Sequence, residues 1–121
     1  MLQISNLNDA ISLYQPLMNA TILYRKDDIE AMLETAQFRL RLLVSDGSHE
    51  INTIRIPVED IGDAAKHLLK YGAVLQNPID LTKDLKDSHV WFTDSDGNHI
   101  VIMGPNRDHR FDEELLSLLA N

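Results

Sequence analysis

The chain has 121 residues, of which 11 are Lys or Arg and 19 are Asp or Glu, for a formal net charge of -8. That length suits one domain with a core of its own. The acidity argues against nucleic acid and anionic membrane as partners, because their phosphates attract the opposite sign.

The chain has no cysteine. This excludes disulfides, thiolate metal sites and a Cys nucleophile, and it fits a cytoplasmic location. No apolar run approaches the ~18–20 residues of a membrane span. The opening residues lack the basic and then apolar order of a signal peptide.

Residues 2–5 read as a short strand and about 8–18 as a helix, with Asn6 or Asn8 as N-cap and Asp9 in the first turn. Pro16 predicts a kink there, or a helix end near Tyr14. Residues 21–25 read as a strand, and 30–35 as either a strand or a helical turn. Residues 38–44 are the clearest strand, because Phe38, Leu40, Leu42 and Val44 alternate with Arg39, Arg41 and Leu43. A turn at 45–48 leads to a strand over 51–58, with Ile54, Ile56 and Val58 on one face. A helix follows over about 61–71, capped by Asp60 and stopped by Gly72. Residues 73–76 read as a short strand and 77–87 as a polar loop. Residues 89–93 and 99–103 form a hairpin around Asp94-Ser95-Asp96-Gly97-Asn98, and 111–119 an amphipathic helix.

The element order repeats. At an offset of 54 residues, Ile4-Ser5-Asn6-Leu7-Asn8-Asp9-Ala10 lies over Val58-Glu59-Asp60-Ile61-Gly62-Asp63-Ala64. Each copy places an Asx at the helix start and an Asp three residues later, where carboxylates favour the helix N-terminus.

The segment from Ile4-Ser5-Asn6-Leu7 through Tyr14 resembles the first strand–helix junction of the vicinal oxygen chelate superfamily, which groups glyoxalases, bleomycin-resistance proteins and extradiol dioxygenases. Phe92-Thr93-Asp94-Ser95-Asp96-Gly97-Asn98-His99-Ile100 resembles its closing hairpin, F-x-D-P-D-G-N-x-I-E. The resemblance covers roughly residues 1–104. It implies an α+β fold: two tandem βαβββ modules, about 1–50 and 51–104, forming a curled mixed sheet with helices outside. Residues 105–121 would add a C-terminal helical tail. The resemblance also implies a pocket commonly completed in a homodimer.

Enzymes of that superfamily hold a divalent metal through inward His, Gln or Glu. Transferred here, the first-strand ligand falls just before Met1, and its counterpart in the second module is Thr53. The glutamate after the closing turn falls at Val101, and the last strand of the first module offers Arg39, Arg41 and Leu43. None is a usual ligand, and a guanidinium repels a cation, so no metal and no cofactor are expected. His89 and His99 share a face but stand too far apart to bind one ion, about 16 Å at strand rise. The Asp94–Asn98 stretch fails the calcium-loop pattern, since Gly97 comes fourth and Pro105 twelfth. It reads instead as a turn. No Ser sits in a nucleophile motif, and there is no phosphate loop.

Strand alternation places Gln3, Arg39, Arg41, Thr53, Arg55, His89, Trp91, Thr93, His99, Val101 and Met103 on the face away from the helices. Guanidinium forks suit carboxylate or phosphate, and Trp91 supplies a stacking plane. The same arginines also fit a solvated face on which they pair with surface acids. The expectation is a metal-free protein binding a small organic anion or aromatic ligand through Arg39, Arg41, Arg55, Trp91, His89, His99, Gln3 and Thr53. Arg41 and Arg55 would hold the anion. The alternatives are a metal-dependent lyase, thiol transferase or dioxygenase, and a non-catalytic protein-interaction module.

Overall fold

The computed structural model describes residues 1–45, 50–76 and 88–105. The first module runs β1 (Leu2–Ile4), α1 (Leu7–Met18), β2 (Thr21–Lys26), β3 (Glu30–Glu34) and β4 (Arg39–Val44). The second runs β5 (Thr53–Pro57), α2 (Ile61–Lys70), β6 (Val74–Leu75), β7 (Ser88–Thr93) and β8 (His99–Gly104). The strand orders are β1-β4-β3-β2 and β5-β8-β7-β6, so the duplication read from the sequence is a duplication of topology. In each module the first strand lies parallel to the last, and the other pairs are antiparallel.

The repeated helix start has a repeated cause. Asn6 is extended and its side chain accepts the Asp9 N–H, while Asp60, also extended, accepts the Gly62 N–H. Each cap satisfies an amide that the first helical turn leaves without a partner. Pro16 does not end α1, which continues to Met18. It sits in the last turn, where it removes a single donor, and Asn19 closes the helix in the left-handed conformation with its N–H on Gln15 and Pro16 carbonyls.

Residues 30–34, open between strand and turn in the sequence, form a strand antiparallel to both neighbours. The predicted turn at 46–48, the polar loop at 77–87 and the C-terminal helix lie outside the described residues.

The expected single curled sheet is corrected. The eight strands form two separate four-stranded sheets, each open at its edges. Joining them would require a ladder between β1 and β5, and each of these strands has only one partner. A side chain bridges β1 and the start of β5 instead. Asn98 donates from Nδ2 to the Gln3 carbonyl of β1 at 2.9 Å, and its Oδ1 accepts the Asn52 N–H just before β5 at 3.2 Å.

One apolar cluster nonetheless spans both modules. It includes Leu2, Ile4, Leu13 and Leu42 from the first, and Ile56, Ile61, Leu68, Phe92 and Ile102 from the second. It lies on the helix-covered faces of the sheets, as the alternation of buried and exposed residues in β4 and β5 requires. Where β8 ends, a Cβ on Gly104 would collide with the Val58 carbonyl, and its φ of 157° also favours glycine.

Candidate functional site

Strand registers turn the predicted face into rows. Across the second sheet, Thr53, His99 and Thr93 are neighbours, as are Arg55, Val101 and Trp91, and Pro57, Met103 and His89. These residues share the face opposite the buried Ile54, Ile56, Val90 and Phe92. Gln3, Arg39 and Arg41 lie on the corresponding face of the first sheet, opposite Leu2, Leu40 and Leu42. The predicted face is therefore real, but its residues divide between two sheets.

The arginines differ sharply in their surroundings. Arg39 and Glu34 are directly opposite across β4 and β3, and Arg39 Nε donates to Glu34 Oε2 at 2.7 Å. Arg41 grips Glu30 with both ends of its fork, Nε to Oε2 and Nη2 to Oε1, each at 3.0 Å. The Tyr24 hydroxyl donates to the same Glu30 carboxylate. Arg41 and then Tyr24 hold the Glu30 carboxyl down at about 2, and Glu30 in turn raises the Tyr24 hydroxyl. Arg25 pairs with Asp28 at 2.8 Å. Arg55 is exposed and has no carboxylate partner among the described residues.

Arg55 also lines a cavity of about 530 Å³ with Met1, Leu2, Phe38, Leu40, Asn52, Thr53, Ile54 and Trp91. This cavity draws on the starts of β1, β4 and β5, so it lies at the junction of the two sheets. Three residues of the expected set, Thr53, Arg55 and Trp91, meet there. Arg39, Arg41, Gln3, His89 and His99 do not line it. The Gln3 side chain is engaged by the Glu50 N–H at 2.7 Å. His89 and His99 stand four residues apart in the β7–β8 register, about 13 Å at strand rise.

A larger groove of about 1080 Å³ lies between the end of α1, the β3–β4 turn and the start of α2. Glu59, Asp60 and Asp63 line it, and a wall of that sign repels an anion. Its His67 is already engaged, with Nε2 at 2.8 Å from the Leu13 carbonyl.

The closing-hairpin motif is structural. The buried Asp94 carboxylate accepts from Asp96 N and Asn98 N through Oδ1, and from Asn98 Nδ2 and the Tyr14 hydroxyl through Oδ2. The Tyr14 contact, at 2.6 Å, ties α1 of the first module to the hairpin of the second. Burial, and then the facing carboxylate, push the Tyr14 hydroxyl far above its ordinary range, so it remains a donor. Sequence reasoning saw the turn but not its partners, because Tyr14 and Asp94 are 80 residues apart.

The positions that carry metal ligands in the resembled superfamily do not fit an ion. Thr53 offers a lone hydroxyl, Val101 is apolar and fully buried, and Arg41 is cationic. Among the described residues, no group of three or more His, Asp or Glu is placed to hold a metal.

Solved structures share this architecture. A mutant of the fosfomycin resistance protein FosX from Listeria monocytogenes, complexed with Mn(II) and 1S,2S-dihydroxypropylphosphonic acid, matches with a TM-score of 0.66 and 15% identity, over 92% of this chain and 90% of that one. A glyoxalase-related enzyme from Fulvimarina pelagi matches with a TM-score of 0.65 and 15% identity, over 85% and 83%. The chain has the fold of the vicinal oxygen chelate superfamily. A hypothetical protein from S. aureus, SA1046, matches with a TM-score of 0.61 and 16% identity, over 85% and 91%. No protein-family model and no curated protein matches the sequence.

Proposed function

We propose that the protein binds a small organic anion without a metal, with Arg55 as the anchor, Trp91 as the apolar platform and Thr53 as a neighbouring hydroxyl. One observation carries this reading: Arg55, a guanidinium without a carboxylate partner among the described residues, stands beside a tryptophan in a cavity with apolar walls. Arg25, Arg39 and Arg41 each already hold a carboxylate. Arg39, Arg41, His89, His99 and Gln3 then shape the surrounding faces, and Arg41 answers to Glu30 before any ligand. The listerial FosX structure, complexed with Mn(II) and a phosphonic acid, supports an anion as the ligand class for this fold. We place the binding unit in residues 1–104, with 105–121 as an appended tail, acting as a cytoplasmic homodimer. Among the described residues, no helix is long and apolar enough to cross a membrane.

A thermal-shift panel of organic anions tests the reading. A bound anion at a hundred times its Kd adds about 2.7 kcal/mol of stability, an upward shift in Tm that is easily read. Arg55→Ala is expected to abolish the shift. A shift that survives the substitution removes Arg55 from the site.

A further inference from the structure

The walls of this cavity limit the class of anion it can take. Resting on the anion binding proposed for Arg55, we infer that the site selects an amphipathic monoanion, a carboxylate on a short apolar or aromatic body, over a dianion such as a phosphate monoester.

Charge is the first constraint. Among the described residues, Arg55 is the only charged side chain that lines the cavity. Asn52 and Thr53 add neutral polar groups, and the other walls are Met1, Leu2, Phe38, Leu40, Ile54 and Trp91. One guanidinium fork matches one carboxylate in bidentate geometry. A second negative charge would face apolar side chains that offer it no hydrogen bond and no opposite charge. Nor can the neighbouring sheet supply a second cation cheaply. Arg41 is held by both oxygens of Glu30, which Tyr24 also holds, and Arg39 is held by Glu34. The net charge of -8 adds a background that opposes each further negative charge.

Distance is the second constraint. Arg55 and Trp91 flank Val101 in one row, on strands β5, β8 and β7. Two strand spacings separate their backbones by about 10 Å. Val101 between them is fully buried and brings no polar group to that row. A carboxylate at Arg55 and a ring against Trp91 are therefore joined by a few methylenes. A cavity of about 530 Å³ admits a molecule of that size.

The experiment uses the full chain and three probes sharing a phenylalkyl body: 3-phenylpropionate, the monophosphate ester of 2-phenylethanol, and 3-phenylpropionamide. Affinities are measured by calorimetry at about pH 9, where the phosphate ester is a dianion. The carboxylate is expected to bind at least tenfold more tightly than either of the others, and Arg55→Gln is expected to erase its advantage over the amide. Carboxylate and phosphate ester binding equally, or the ester more tightly, overturns the monoanion inference while leaving an anion site. Carboxylate and amide binding equally overturns it as well, because the charge is then unread. If none of the three binds and the wider anion panel is also silent, the binding reading itself fails.

Discussion

Asn98 is fully buried, and its side chain makes three hydrogen bonds, to Gln3, Asn52 and Asp94. Truncation would take one donor from the buried Asp94 carboxylate and strand two half-buried backbone groups, the Gln3 carbonyl and the Asn52 N–H, and a buried group left unsatisfied costs about 1–3 kcal/mol. Asn98→Ala is therefore expected to destabilise by about 3 kcal/mol or more. Tyr14→Phe removes one donor from a carboxylate that keeps three others, and about 1–1.5 kcal/mol is expected. Urea denaturation of the two variants checks the ranking, and equal losses would mean that the module junction does not depend on Asn98. Alternation told which face Arg39, Arg41 and Arg55 occupy, because a strand has a period of two. It could not tell which of them is engaged, since their partners Glu30 and Glu34 lie on a segment whose sequence fits both strand and turn. Once residues 30–34 are a strand joined to β4 by a tight turn, Glu34 falls opposite Arg39 and Glu30 reaches Arg41 on the diagonal.

At the scale of elements, the sequence was most legible where a local rule applies. The two Asx caps and the repeated element order follow from short-range chemistry, whereas the parallel pairing of first and last strands, about 40 residues apart, does not. Equivalent caps predict equivalent penalties. Asn6→Ala and Asp60→Ala should each lower stability by about 1 kcal/mol. Thermal or urea unfolding reads both, and a neutral Asn6→Ala would deny the cap its part in holding α1. Pro16 shows where a local rule misleads. The missing donor matters in a helix interior, but α1 ends two residues later, at Met18. Strand β2 is exposed throughout, including Ile22, Leu23 and Tyr24, because among the described residues nothing covers either of its faces.

At the scale of the whole molecule, charge and junction decide behaviour. Arg41 and Tyr24 lower the Glu30 carboxyl in the folded protein, from an ordinary 4.5 to about 2. An acid whose folded value lies below its unfolded one contributes stability that is complete above the unfolded value and lost as pH falls through the folded one. The contribution of Glu30 should therefore vanish between about pH 4.5 and pH 2. Glu30→Gln is expected to flatten the fall in Tm across that window. Identical acid limbs in variant and wild type would show that other carboxylates control it. The curled sheet expected from the family resemblance was not legible in this chain's own pattern. Whether two sheets join depends on contacts between β1 and β5, and no hydrophobic period records those.

The junction between the modules separates connectivity from stability. Among the described residues, every strand finds its ladder partners within its own half of the sequence, so the set of strand ladders divides cleanly at the module boundary. The apolar cluster draws side chains from both halves, so the folded molecule does not. Strand pairing counts two objects here and burial counts one. The duplicated halves are bound to each other by a shared interior rather than by a shared sheet.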